Sequence, residues 1–154
     1  MPDSKTPTPG EITIMAGGAV ALIGSFLHFY SVDTSFGSGS VSAWGSGLFP
    51  VATLMVIFAV ISAVLVAVTK FANVQLPERV LTFTWTQVYL VLGFFAALYA
   101  IAYLLVNKGG YDFGIGFWLI LIGCLASLVG AILLLRERAT TSGPGSPGVP
   151  PPTA

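Results

Sequence analysis

Charged residues are scarce in this chain of 154 residues. They make up 8% of it and the mean hydropathy is +0.91, whereas roughly a quarter of a soluble domain is charged. This composition excludes a water-soluble globule. Since one membrane crossing takes about 20 apolar residues, the chain has room for four crossings and little else. We therefore predict an all-α integral membrane protein with four transmembrane helices.

The sequence has one cysteine, Cys124, and one histidine, His28. A single cysteine excludes an intrachain disulfide and the cysteine pairs of a thiol oxidase. A haem-binding bundle needs paired axial ligands that face each other, and beside His28 the chain offers only Met15 and Met55, which are poor candidates. The ligand count is too low for a metal site. No ionisable residue lies at the centre of an apolar run, where such residues mark functional sites. We therefore predict no catalytic residue, no cofactor and no metal, and we expect that the protein is not an enzyme.

The hydrophobic pattern predicts a transmembrane domain over residues 12–138, flanked by disordered tails at 1–11 and 139–154. Within it we predict four spans, arranged as two helical hairpins, at about 12–30, 48–69, 85–106 and 113–135. The Ser/Gly-rich segment 31–47 lacks an apolar run, and we expect a flexible loop there.

Small residues recur every three or four positions in the first and last spans, which lets helix backbones approach closely. We therefore expect these two helices to form a tight pair, and we expect their small-residue faces to pack against a second copy or a larger partner. The packing positions are Gly17, Ala21, Ser25, Gly123, Ser127 and Gly130.

Tryptophan favours the membrane–water interface because its ring is apolar and its N–H is polar. We predict interface anchors at Trp44, Trp85 and Trp118. Two residues near span ends, His28 and Gln87, are candidate polar sites.

Basic residues predict the orientation. If four helices cross the membrane, all the basic residues except Lys108 lie on one side of it. We predict a protein of the plasma (inner) membrane, and the positive-inside rule then places both termini and the hinge at 70–85 in the cytoplasm. The residues on the predicted inner side are Lys5, Lys70, Arg79, Arg136 and Arg138.

The segment LPERVLTFTW at 76–85, together with Trp44-Gly45 before the second span, resembles small four-span membrane proteins of actinobacteria. The resemblance covers about residues 12–138, and it implies a plasma-membrane location and no activity. The four-span plan with a longer first outer loop is also similar to claudin-type proteins. The paired loop cysteines of that family are missing here, which argues against adhesion.

Three functions are compatible with the sequence. The first is a non-enzymatic accessory or assembly subunit, whose partners are the lipid bilayer and either a homo-oligomer or a larger membrane complex, without nucleic acid. The second is a small permease or channel for an uncharged or lipidic substrate. The third is an outer-surface sensor that uses the Ser/Gly loop and His28. The permease hypothesis uses a polar lining of Thr84, Thr86, Gln87, Tyr89 and Tyr99.

Overall fold

A computed structural model describes residues 6–34, 37–45, 51–71, 83–105 and 112–141 of the chain. These residues form four helices and three short strands. In chain order they are α1 (Pro9–Phe26), β1 (His28–Thr34), β2 (Gly37–Ser42), α2 (Val51–Phe71), α3 (Trp85–Leu105), β3 (Asp112–Phe113) and α4 (Ile115–Thr141).

All four helices are long and apolar enough to cross a membrane. This confirms the prediction of four apolar helices and supports a multi-pass membrane protein. Their exposed side chains are mostly large and apolar, as at Phe94, Ile122 and Val129. Many of their buried residues, in contrast, are alanine or glycine. A helix surface of this kind suits a lipid solvent, in which small residues allow close helix packing.

α1 begins within the segment that we predicted to be a disordered tail. Its first turn has a capping box, in which the Thr8 N–H donates to Glu11 Oε2 (2.9 Å) and the Glu11 N–H donates to Thr8 Oγ1 (3.4 Å). Pro9 suits the first helical position because its missing N–H would have no partner there. The prediction that 9–11 belong to a tail is therefore wrong.

α1 ends at Phe26, four residues before the predicted end of the first span, and the chain continues as a strand. β1 pairs with β2 in antiparallel register, from Tyr30 opposite Val41 to Thr34 opposite Gly37. β3 pairs with the other side of β1, which gives the sheet order β2-β1-β3. The expectation of a flexible loop over 31–47 is therefore wrong for its described strands.

The other element ends differ less from the predictions. α3 matches its predicted span to within one residue, and α4 continues to Thr141, so that 139–141 are helical rather than part of the tail. Most of the hinge (72–82) and the start of the second span (48–50) lie outside the described residues. The sequence NKGGYD predicts a tight polar turn at 107–112, and of this turn only Asp112 is described.

The N-terminal turns of α1 and α3 and the C-terminal turns of α2 and α4 lie at one end of the helical domain. Glu11 and Lys70 join α1 to α2 there, and a second buried apolar cluster adds α3 and α4. The three strands lie at the opposite end, where β1 contacts both α1 and α4. We call these the charged end and the sheet end.

Candidate functional site

The closest helix contact is the seam between α1 and α4, which is the pair that the small residues predict. A Cβ added at Gly17 would lie 2.7 Å from the Gly123 carbonyl oxygen, and one added at Gly123 would lie 2.5 Å from the Gly17 carbonyl oxygen. Gly130 likewise faces Gly10 and Ile14, with Cβ distances of 2.8 Å. The backbones therefore touch along several turns.

The same seam buries Ala21 and Ser127, which are 0% and 1% exposed. The Ser127 hydroxyl donates to the Gly123 carbonyl of its own helix (2.9 Å). Five of the six predicted packing positions thus face the other helix of the same chain, namely Gly17, Ala21, Gly123, Ser127 and Gly130. These positions are already filled within one copy, so they do not offer a free surface to a partner.

Ser25 has a different role from the one that its spacing indicated. Its hydroxyl donates to the Leu22 carbonyl (2.6 Å) and accepts a hydrogen bond from Trp44 Nε1 (3.0 Å). The Trp44 ring also stacks on Phe26, with centroids 6.1 Å apart. Trp44 therefore fastens the segment after β2 to the end of α1, while 45% of its surface stays exposed.

The sheet is attached to the helices by buried aromatic rings. Phe29 of β1 is fully buried and makes edge-to-face contacts with Tyr103 of α3 and Phe117 of α4, at centroid distances of 5.5 and 5.3 Å. Phe113 of β3 stacks on Tyr30 and Phe117 at 5.5 and 3.8 Å. This aromatic cluster was not predicted from the sequence.

Backbone and hydroxyl hydrogen bonds add to this attachment. The Gly114 N–H donates to the Phe29 carbonyl (2.9 Å), and the Thr53 hydroxyl of α2 donates to the Ala43 carbonyl just after β2 (3.0 Å). The sheet is thus held by groups from all four helices. We call the sheet attached in this way the platform.

Among the residues that the structure describes, one edge of this platform is open. β2 lies at the edge of the sheet, and among the strands that the structure describes its other side has no partner. It contains no charge and no proline (GSGSVS), and Gly39, Ser40 and Val41 are exposed. Natural edge strands are often protected by lysine or proline, because their free N–H and C=O groups accept another strand. The β1–β2 pair does have a register irregularity, between His28 and Tyr30.

The charged end contains residues that the sequence analysis did not single out as a site. Lys70 Nζ lies 3.1 Å from Glu11 Oε2, and both side chains are mostly buried, at 16% and 10% exposure. On the other side of α1, the Gly10 N–H donates to Glu137 Oε1 (3.0 Å). These contacts join the ends of α1, α2 and α4, and the T-x-x-E pattern at Thr8 was the sequence signal for the Glu11 cap.

The remaining predicted site residues do not come together. The Gln87 side-chain oxygen Oε1 accepts a hydrogen bond from the Thr84 N–H (2.9 Å) and so caps α3. His28 is exposed at the start of β1. Trp85 packs against the buried cluster at the charged end, and Trp118 is 45% exposed beside Phe113 and Phe117.

The polar lining of the permease hypothesis is not continuous in the structure. Thr86 and Tyr89 are 2% and 4% exposed inside the helical domain, whereas Thr84 lies on the surface. The buried hydroxyls of Ser62 and Ser127 each donate to a carbonyl of their own helix. The described residues also include no cluster of three histidine, cysteine or acidic side chains that would hold a metal ion.

Comparisons with models of protein families and with curated proteins found no match to this chain.

Proposed function

We propose that the protein is a non-enzymatic accessory or assembly subunit in a membrane complex. The observation that carries this proposal is the open β2 edge on a sheet that side chains from every helix hold in place. A partner that supplies an extended segment gains main-chain hydrogen bonds at such an edge without reordering it. The helix faces that first indicated a partner are closed within the chain, so the sheet is the better docking surface.

The arrangement of charges supports an orientation with both termini in the cytoplasm. Lys70 lies in the last turn of α2 and Arg138 in the last turn of α4. Arg136 lies two residues before Arg138, so all three are at the charged end. The positive-inside rule favours this end on the cytoplasmic side of the plasma membrane. The sheet and its open edge would then face outwards.

Labelling of intact cells with a membrane-impermeant maleimide tests the orientation. In a Cys124→Ala background, Ser40→Cys is expected to react in intact cells, and Thr140→Cys only after permeabilisation. The opposite pattern would reverse the proposed orientation.

The docking proposal is tested by replacing one exposed edge residue. Ser40→Lys places a charge on the edge of β2, where lysine blocks strand addition. Ser40→Thr keeps a hydroxyl and raises β-propensity, and it is the matched control. After extraction in mild detergent, the unchanged chain and Ser40→Thr are expected to migrate as a larger complex, and Ser40→Lys as the free subunit.

A monomer in all three samples would remove the proposal, and so would a complex that survives Ser40→Lys. Thermal unfolding of the purified variants separates these results from misfolding. Since position 40 is exposed, both variants should unfold within about 0.5 kcal/mol of the unchanged chain.

A further inference from the structure

A groove of about 430 Å³ runs along the surface between α3 and α4. Its floor lies where the two helices are closest, since a Cβ added at Gly93 would lie 3.1 Å from the Leu128 Cα. Only apolar side chains form its walls, and α3 supplies two phenylalanines that are about half exposed. The lining residues are Leu90, Val91, Phe94, Phe95, Leu128 and Ile132.

A positive charge lies in register with this groove. Leu128, Ile132 and Arg136 follow each other at four-residue spacing, so they share one face of α4. Arg136 lies about 6 Å further along the helix axis than Ile132. Its side chain is exposed, and no carboxylate among the described residues lies within ion-pair distance of it.

We propose that this groove binds an anionic phospholipid, with one acyl chain against the α3–α4 wall and the phosphate at Arg136. An arginine at the membrane surface attracts anionic headgroups, and basic positions beside grooves between helices suit them. The site requires that α4 spans the bilayer, and it is independent of the docking function proposed for β2.

The charge distinguishes this groove from a second apolar groove of about 230 Å³ between α1 and α2. That groove is lined by Ala67 among others, and Lys70 follows one turn later. The Lys70 ammonium, however, already contacts Glu11 at 3.1 Å. The α3–α4 groove therefore combines an apolar channel with the better-placed cation.

Native mass spectrometry of the full chain tests the site. The chain is released from detergent in the presence of equal amounts of dioleoyl phosphatidylglycerol and dioleoyl phosphatidylcholine, and the bound lipids are counted. We expect a preference of about fivefold for phosphatidylglycerol, which is the gain that one surface arginine provides. Glycerol 3-phosphate is not expected to compete, because it lacks the acyl chain.

Two sets of variants separate the contribution of the headgroup from that of the acyl chain. Arg136→Gln should abolish the preference and Arg136→Lys should retain it, whereas Arg138→Gln, about 200° away around the helix, should leave it unchanged. Val91→Trp fills the groove and should reduce retention of both lipids, while Ile61→Trp on α2 should not. Val91 and Ile61 are 45% and 41% exposed, so both variants should fold.

Four results would overturn the proposal. They are equal retention of the two lipids by the unchanged chain, equal losses in Arg136→Gln and Arg138→Gln, unchanged binding in Val91→Trp, and competition by glycerol 3-phosphate. Conversion of a dimer to a monomer by Val91→Trp, with lipid retention unchanged, would assign the groove to a second copy. The Ser40 variants should not affect lipid binding, so failure of this site and failure of the docking function are distinguishable.

Discussion

Substitution of the seam glycines by alanine is the sharpest test of how the helices are packed. A Cβ at position 123 would meet the Gly17 carbonyl oxygen at 2.5 Å and the Ala21 nitrogen at 2.6 Å. Ordinary contact begins at 3.4 Å, so the helices must separate by about 0.9 Å. Since the obstructing atoms are backbone, no side-chain rotation relieves the contact.

Two opposing effects set the size of the change. Alanine favours the helix over glycine by about 1 kcal/mol in water. Overpacking costs typically 1–3 kcal/mol, and a radial gap of 0.5–1 Å forfeits about a quarter to a half of the dispersion energy of each separated atom pair. The gap would extend along a seam of several turns, so overpacking should cost about 2–3 kcal/mol. After the gain of about 1 kcal/mol from alanine, we expect Gly123→Ala to destabilise the protein by about 1–2 kcal/mol.

The two seam glycines face each other, which predicts a coupling between them. Once Gly123→Ala has separated the helices, Gly17→Ala should cost less than it does alone, because part of the space already exists. The double variant should therefore lose less stability than the sum of the single variants, by about 0.5 kcal/mol or more.

Reversible unfolding in mixed detergent micelles, followed by circular dichroism, measures these changes. Ala16→Leu is the matched control, since Ala16 is exposed on α1 next to Gly17 and its enlargement meets lipid rather than a helix. It should change the stability by less than about 0.5 kcal/mol. If Gly123→Ala were as stable as this control, or if the two glycine variants were additive, the seam would not be packed as described.

Three further substitutions test single contacts, each by the same unfolding measurement. Trp44→Phe removes the hydrogen bond to Ser25 and should cost about 1 kcal/mol, an effect that Ser25→Ala should largely abolish; additive losses would contradict the contact. Lys70→Met leaves the mostly buried Glu11 carboxylate without its ammonium partner and should cost about 1–3 kcal/mol, and no loss would show that the ion pair contributes nothing. Thr86→Val should raise stability by about 1 kcal/mol, because the buried Thr86 hydroxyl has no hydrogen-bond partner within the described part of the chain, and a loss would reveal a partner.

The helices were predictable because lipid imposes a simple rule. Every backbone polar group in the hydrocarbon region must be satisfied within its own segment, so long apolar runs form helices. The start of α1 could also have been predicted, because Thr8 and Glu11 have the spacing of a capping box. The C-terminal end of α4 was harder to predict from the sequence. The helix continues beyond the apolar run through polar residues such as Arg138, and no break in the sequence marks where it ends.

The sheet was not predictable from composition. β2 is a Ser/Gly segment without apolar alternation, and it is a strand because β1 pairs with it. β1 is held in turn by Phe29, which is buried against rings from α3 and α4 that lie far away in sequence. A long-range contact of this kind overrides local propensity.

The small-residue stripes show a different limit of sequence reasoning. Spacing at Gly17 and Gly123 identified faces for close helix approach, but it does not state whether the approaching helix belongs to the same chain. In the structure each stripe meets the other. That finding moves the proposed docking surface from the helices to the sheet.

The open edge of β2 carries the central claim, and site-specific photo-crosslinking in native membranes tests it most directly. A photoreactive residue at position 40 should form one discrete adduct, whereas the same residue at position 61, which faces lipid on α2, should form none. Ser38→Pro on the same strand should reduce the position-40 adduct by weakening strand pairing. No adduct at position 40, or equal adducts at 40 and 61, would contradict the assembly role.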